Sequence, residues 1–103
     1  MKKIIFSSQF PEDLSTCKRI FGLYGLEKLN HVISILKEGH KLQPKYKDHP
    51  LDKYKELKGK GLRDCHIVEI DDNWVLVYKP EKHNLRLLRT GVHKEIFKYS
   101  SKT

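Results

Sequence analysis

At 103 residues the chain is expected to form one domain, spanning 1–103, and it is too short for a doubly wound dinucleotide-binding enzyme or a barrel enzyme. Hydrophobic residues at 38% allow one modest core, and aromatics at 10% argue against disorder. No apolar run approaches the ~18 residues that cross a membrane. The start, Met1-Lys2-Lys3-Ile4-Ile5-Phe6, is also too short in apolar residues for a secretory signal, so a cytoplasmic protein is expected. The net charge of +8 is uneven: residues 37–63 hold nine Lys/Arg against four Asp/Glu. Such a field draws polyanions, or an acidic protein, toward that segment.

Taken in chain order, Lys2 to Ser7 reads as a strand. Pro11-Glu12-Asp13 opens a helix, because proline suits the first turn and acids there oppose the dipole. Leu14, Cys17, Ile20 and Phe21 make one helical face, which Gly22 and Gly25 should end. Leu26, Leu29, Val32, Ile33 and Leu36 predict a second helix, stopped by Gly39, and the pair should form a hairpin. Residues 39–61 show little periodicity and read as one long basic loop, a kind of segment that is often functional. Arg63 to Ile70, Trp74 to Tyr78 and Leu85 to Arg89 predict a three-stranded meander, with residues 71–73 and 80–84 as its turns. Residues 93–99 suit one or two helical turns. The order β-α-α-β-β-β with a short C-terminal helix indicates an α+β fold, its two-helix hairpin packed on a small antiparallel sheet.

Cys17 and Cys65 form no C-x-x-C pair, and both read as buried reduced thiols rather than a disulfide framework or a zinc ribbon. His31, His40 and His83 fall at solvated positions. His49 in the basic loop, His66 entering the meander and His93 leaving it can meet at one rim of a small sheet. His66 would share a strand face with Val68 and Ile70, with Cys65 opposite, which argues against a Cys65–His66 nucleophilic pair. The histidine spacing lacks H-x-x-x-H with an acid, so no metal is expected. Three imidazoles among cations suit RNA transesterification: one takes a proton from the 2′-OH, one gives a proton to the 5′-oxygen, and cations stabilise the phosphorane. That chemistry needs no cofactor.

Four segments carry a resemblance. They are Tyr46-Lys47-Asp48-His49-Pro50-Leu51, Gly61-Leu62-Arg63-Asp64-Cys65-His66, Trp74-Val75-Leu76-Val77-Tyr78-Lys79, and Leu88-Arg89-Thr90-Gly91-Val92-His93 with Phe97. In this order they resemble the YafQ branch of the RelE/ParE toxin superfamily, over roughly residues 2–97. The resemblance implies a bacterial type II toxin: a RelE-like fold acting as a ribosome-dependent mRNA endonuclease, inhibited by a cognate antitoxin in a hetero-oligomeric complex. It places His49, His66 and His93 on the family's catalytic histidines, Phe97 on an aromatic that positions RNA, and Arg89 where it could stabilise phosphate charge. His93 is then the expected general acid, and His66 or His49 the base. The family has an aspartate just before the strand tryptophan. Here Asn73 stands there, and Asp72 is the nearest replacement. Lys47, Lys53, Lys55 and Arg63 are expected to hold RNA. The rival reading is a ParE-like toxin of the same fold that inhibits DNA gyrase and cuts no RNA.

Overall fold

The computed structural model of the chain describes residues 1–52 and 58–97. Its centre is β4 (Trp74–Pro80). The run Trp74-Val75-Leu76-Val77-Tyr78 is buried at every position because both sides of the strand are covered. Trp74, Leu76 and Tyr78 face one apolar cluster, and Val75 and Val77 face another. Around β4 the sheet runs in the order β1-β5-β4-β3-β2. β1 is Lys3–Phe6, β2 is His49–Pro50, β3 is Arg63–His66 and β5 is Asn84–Val92. β2, β3, β4 and β5 pair antiparallel, whereas β1 lies parallel to β5, with Ile4 beside Leu85. The sheet is therefore mixed rather than wholly antiparallel: β1 has to travel through the helical region before β5 can form beside it.

The helical region α1 (Phe10–Lys37) covers the first face. Phe10, Cys17, Leu29, Val32 and Leu36 join Trp74, Leu76, Tyr78, Leu85 and Leu87 there. The helix is broken at Gly22, whose φ of 73° and ψ of −175° lie outside any helical region and in a range that favours glycine. The expected break thus falls at Gly22 alone. Gly25 is helical and buried, and serves close approach instead: an added Cβ would stand 2.5 Å from Phe21 Cβ and 3.4 Å from the Trp74 ring. Phe21 itself stacks on Trp74 at 4.2 Å between centroids. Ile20, expected on the apolar face, is exposed together with Leu23 and Tyr24, where the chain leaves its helical path.

The second face carries a smaller cluster of Leu51, Val75, Val77, Ile96 and Phe97. Each fully buried aliphatic side chain here stabilises by about 1.5–3 kcal/mol, enough to seat the one-turn helix α2 (His93–Ile96) on the sheet. The expected long loop is partly ordered secondary structure: a 3₁₀ turn, Pro44–Tyr46, leads into β2. β3 stops at His66, four residues before the expected end at Ile70. Beyond it, residues 67–71 coil into a tight turn in which the Ile67 carbonyl accepts from the Ile70 and Asp71 amides.

Candidate active site

β3 brings the first two groups. Successive residues of a strand point to opposite faces, so Cys65 joins the helix-side core while Asp64 and His66 turn to the other face. Because the strand ends at His66, Val68 and Ile70 do not continue its face and pack with the helix-side core instead. β2 places His49 directly across from Asp64 in the ladder. β5 ends at Val92, opposite Trp74, and His93 follows as the first residue of α2, its amide donating to the Asn73 carbonyl at 2.6 Å. Three segments remote in sequence thereby converge. The His49 and His66 rings lie 6.3 Å apart between centroids, and so do His66 and His93.

Hydrogen bonding differentiates the rings. His49 Nδ1 lies 2.6 Å from the Lys47 carbonyl, and His66 Nδ1 lies 2.6 Å from the Asp72 carbonyl. A carbonyl only accepts, so both Nδ1 atoms carry hydrogen. His66 then keeps its Nε2 lone pair in the neutral ring. His49 Nε2 instead faces Asp64 Oδ1 at 3.0 Å, a carboxylate with no solvent exposure. Both ring nitrogens of His49 therefore lie against protein oxygens. Asp64 is the site residue that sequence reasoning missed. The signal that could have found it was the same period-two count that separated Cys65 from His66.

Asp72 does approach His66, with Oδ1 3.6 Å from Nδ1, while Lys47 Nζ sits 2.9 Å from its other oxygen. The hydrogen bond from Lys47 holds the Asp72 carboxyl below its ordinary range. Among the described residues Asn73 contributes its backbone: the carbonyl to His93 and the amide to Asp71 Oδ1.

The remaining expected site residues divide. Lys47 stands at the rim through Asp72. Phe97 lies 4.7 Å from the His93 ring but is only 3% exposed, so it supports that ring from beneath rather than offering an open stacking surface. Arg89 and Arg63 both form ion pairs on the helix side of the sheet. Arg89 faces α1, where its guanidinium donates to Asp13 at 2.6 and 3.2 Å. Alternation from Leu85 and Leu87 already points Arg89 to the helix side, and a register shift between Val77 and Tyr78 brings Thr90 to the same side. Leu88 packs against the second cluster, while Arg89 and Thr90 both meet Asp13. Arg63 shares the face of Cys65 and donates to Asp48, beside a cavity of about 700 Å³ on the helix side of the sheet. Lys53 and Lys55 lie outside the described residues. Among the described residues no group of three or more His, Cys, Asp or Glu side chains is arranged to hold a metal ion.

Comparison with known proteins shows the family of the chain. A family model described as the bacterial toxin of type II toxin–antitoxin system, YafQ, matches residues 2–98. The mRNA interferase toxin YafQ of Escherichia coli, an endoribonuclease, is 32% identical over 97 residues, covering 93% of this chain and 96% of that protein. The crystal structure of the E. coli DinJ–YafQ toxin–antitoxin complex contains a chain that matches with a TM-score of 0.78 at 31% identity, over 93% of this chain and 97% of that one. A copper-bound mutant toxin from Helicobacter pylori matches with a TM-score of 0.76 at 32% identity, over 94% and 100% of the two chains. The resemblance read from the four segments holds across nearly the whole chain, which belongs to the YafQ family of bacterial type II toxins.

Proposed function

We propose that this chain is an endoribonuclease toxin that cleaves mRNA presented by the ribosome, and that a cognate antitoxin holds it in check. The observation that carries the proposal is the cluster of three imidazoles, with the His66 ring 6.3 Å from each of the other two, beside a buried carboxylate. Family membership and the E. coli relatives' names support the same reading.

Cleavage proceeds by attack of the ribose 2′-oxygen on phosphorus. The P–O5′ bond breaks, a 2′,3′-cyclic phosphate remains upstream, and the 5′-oxygen leaves as a hydroxyl. His66 suits the base that removes the 2′ proton, since its Nδ1 is occupied by the Asp72 carbonyl and Nε2 remains for the transfer. His93, whose ring lies 6.3 Å from that of His66, suits the acid that protonates the leaving oxygen. His49, held between the Lys47 carbonyl and Asp64, suits electrostatic support of the phosphorane. Each proton transfer contributes roughly 10²–10⁴ in rate, and the ribosome supplies placement of the message, so a sparse site suffices. Lys47, Lys53 and Lys55 belong to the basic segment that would hold RNA backbone, with salt-sensitive affinity.

Primer extension on message after induction of the toxin tests the proposal. Discrete cuts at codons in the ribosomal A site, lost in His66→Ala and His93→Ala, are expected. Intact message accompanied by DNA damage would replace it with gyrase inhibition.

A further inference from the structure

His49 is delivered by very little backbone. β2 contains two residues, and the second, Pro50, has no amide hydrogen for the ladder. Just before it, Lys47 adopts φ 54° and ψ 37°, a left-handed conformation that a non-glycine residue holds only where its surroundings enforce it. That conformation aims the Lys47 carbonyl at His49 Nδ1. Between them, Asp48 turns to the opposite side of the sheet. Its carboxylate accepts a hydrogen bond from the Tyr78 hydroxyl and two from the Arg63 guanidinium, at 3.2 and 3.4 Å. Tyr78 is 2% exposed and belongs to the helix-side core, so its end of the clamp is rigid. Burial, reinforced by the Asp48 charge, pushes the Tyr78 hydroxyl far up from its usual range and keeps it a neutral donor.

We propose that Asp48, clamped from the helix side of the sheet by Tyr78 and Arg63, is a positioning residue that fixes the His49 ring against Asp64. The clamp and the ring occupy opposite faces of one short edge segment, so the core of the protein sets the geometry of the site through a single peptide unit. The consequence for catalysis rests on the reading of His49 as part of an RNA-cleaving site. The consequence for the ring does not.

The test uses the full-length toxin carrying Tyr78→Phe, which keeps the core ring and removes the donor, with Asp48→Asn as a second variant and cooperative unfolding as the check on folding. Histidine side-chain resonances are followed by long-range ¹H–¹⁵N spectra, and message cleavage is measured on programmed ribosomes. We expect the His49 ring signals to move while those of His66 and His93 hold. We expect kcat to fall by roughly 10- to 100-fold, the scale of an ångström-level misplacement, with KM little changed. Adding Tyr78→Phe to His49→Ala should bring no further loss, because the two act through one ring. Unmoved His49 signals, or an equal loss in the His49→Ala background, would overturn the proposal. If the wild-type toxin cuts no message, the functional reading fails, and the ring spectra alone still decide this one.

Discussion

Replacement of Arg89 by alanine separates two roles for this side chain: charge stabilisation at a phosphate, implied by resemblance, and the tie to α1 seen in the structure. Asp13 is 9% exposed at its side chain and receives Arg89 Nε at 2.6 Å, Arg89 Nη2 at 3.2 Å and the Thr90 amide at 3.2 Å. The substitution removes two of these three donors and leaves a nearly buried carboxylate with one. Breaking a fully buried pair costs about 3–5 kcal/mol. Arg89 is 34% exposed and Asp13 keeps the Thr90 amide, so roughly 2–3 kcal/mol is expected here. For a domain near this size each kcal/mol lowers Tm by about 4–8 °C, which predicts a drop of roughly 10–20 °C. Calorimetry reads the drop. Cleavage measured at low temperature, per folded molecule, should stay far above the roughly 10²–10³-fold loss that follows removal of a preorganised charge-stabilising donor. Changing both partners to leucine should recover much of the stability, because no unpaired carboxylate remains. A Tm close to wild type combined with a hundredfold loss of cutting would refute this assignment and return Arg89 to the phosphate.

Gly25→Ala should lower stability by about 1–3 kcal/mol, since its Cβ would meet Phe21 Cβ at 2.5 Å against Trp74, and an unchanged denaturation midpoint would contradict the packing described. Glu69 accepts from Lys45 and Tyr46, and the Lys45 bond foremost holds its carboxyl below the ordinary 4.5. A depressed folded pKa contributes stability that is present above the unfolded value and lost as pH falls through the folded one. Glu69→Gln should therefore flatten the acid side of the stability curve, and an unaltered acid limb in urea titrations would count against the interaction. Burial pushes the Cys17 thiol up to about 11 and Cys65 higher still, so neither should react with a thiol reagent at neutral pH before the protein unfolds. Rapid labelling of the native protein would show those positions to be open.

Much of the fold was legible because the decisive signals were local. The unbroken run from Trp74 to Tyr78 has the pattern of a strand covered on both faces, and Leu29, Val32, Ile33 and Leu36 have that of one buried helical stripe. What escaped was set by long-range pairing. His49 and Pro50 carry no strand pattern, and they become β2 only because β3 offers an edge. The parallel placement of β1 beside β5 has no local signature either. Gly25 was legible as a glycine, but its reason, the Trp74 ring, lies far along the chain. The site followed the same division. Composition and turn positions suggested that three histidines share a rim, and family resemblance gave them roles. Period-two counting puts Asp64 on the face of His66, but its burial beside His49 follows only from β2 lying across β3. For Arg63 and Arg89, assigned to the substrate by residue type and by resemblance, the sequence holds no sign of the carboxylates that the fold brings to them. Asp48 and Asp13 are partners of these two residues on the helix side of the sheet.

The most direct measurement is the end-group chemistry of the cut. Purified toxin is mixed with ribosomes carrying a defined message, and the upstream fragment is analysed by mass spectrometry. Attack by the 2′-oxygen, with His66 and His93 moving the protons, predicts a 2′,3′-cyclic phosphate at its 3′ end and its loss in His66→Gln and His93→Gln. A 3′-hydroxyl end, or undiminished cutting by those two variants, would contradict it.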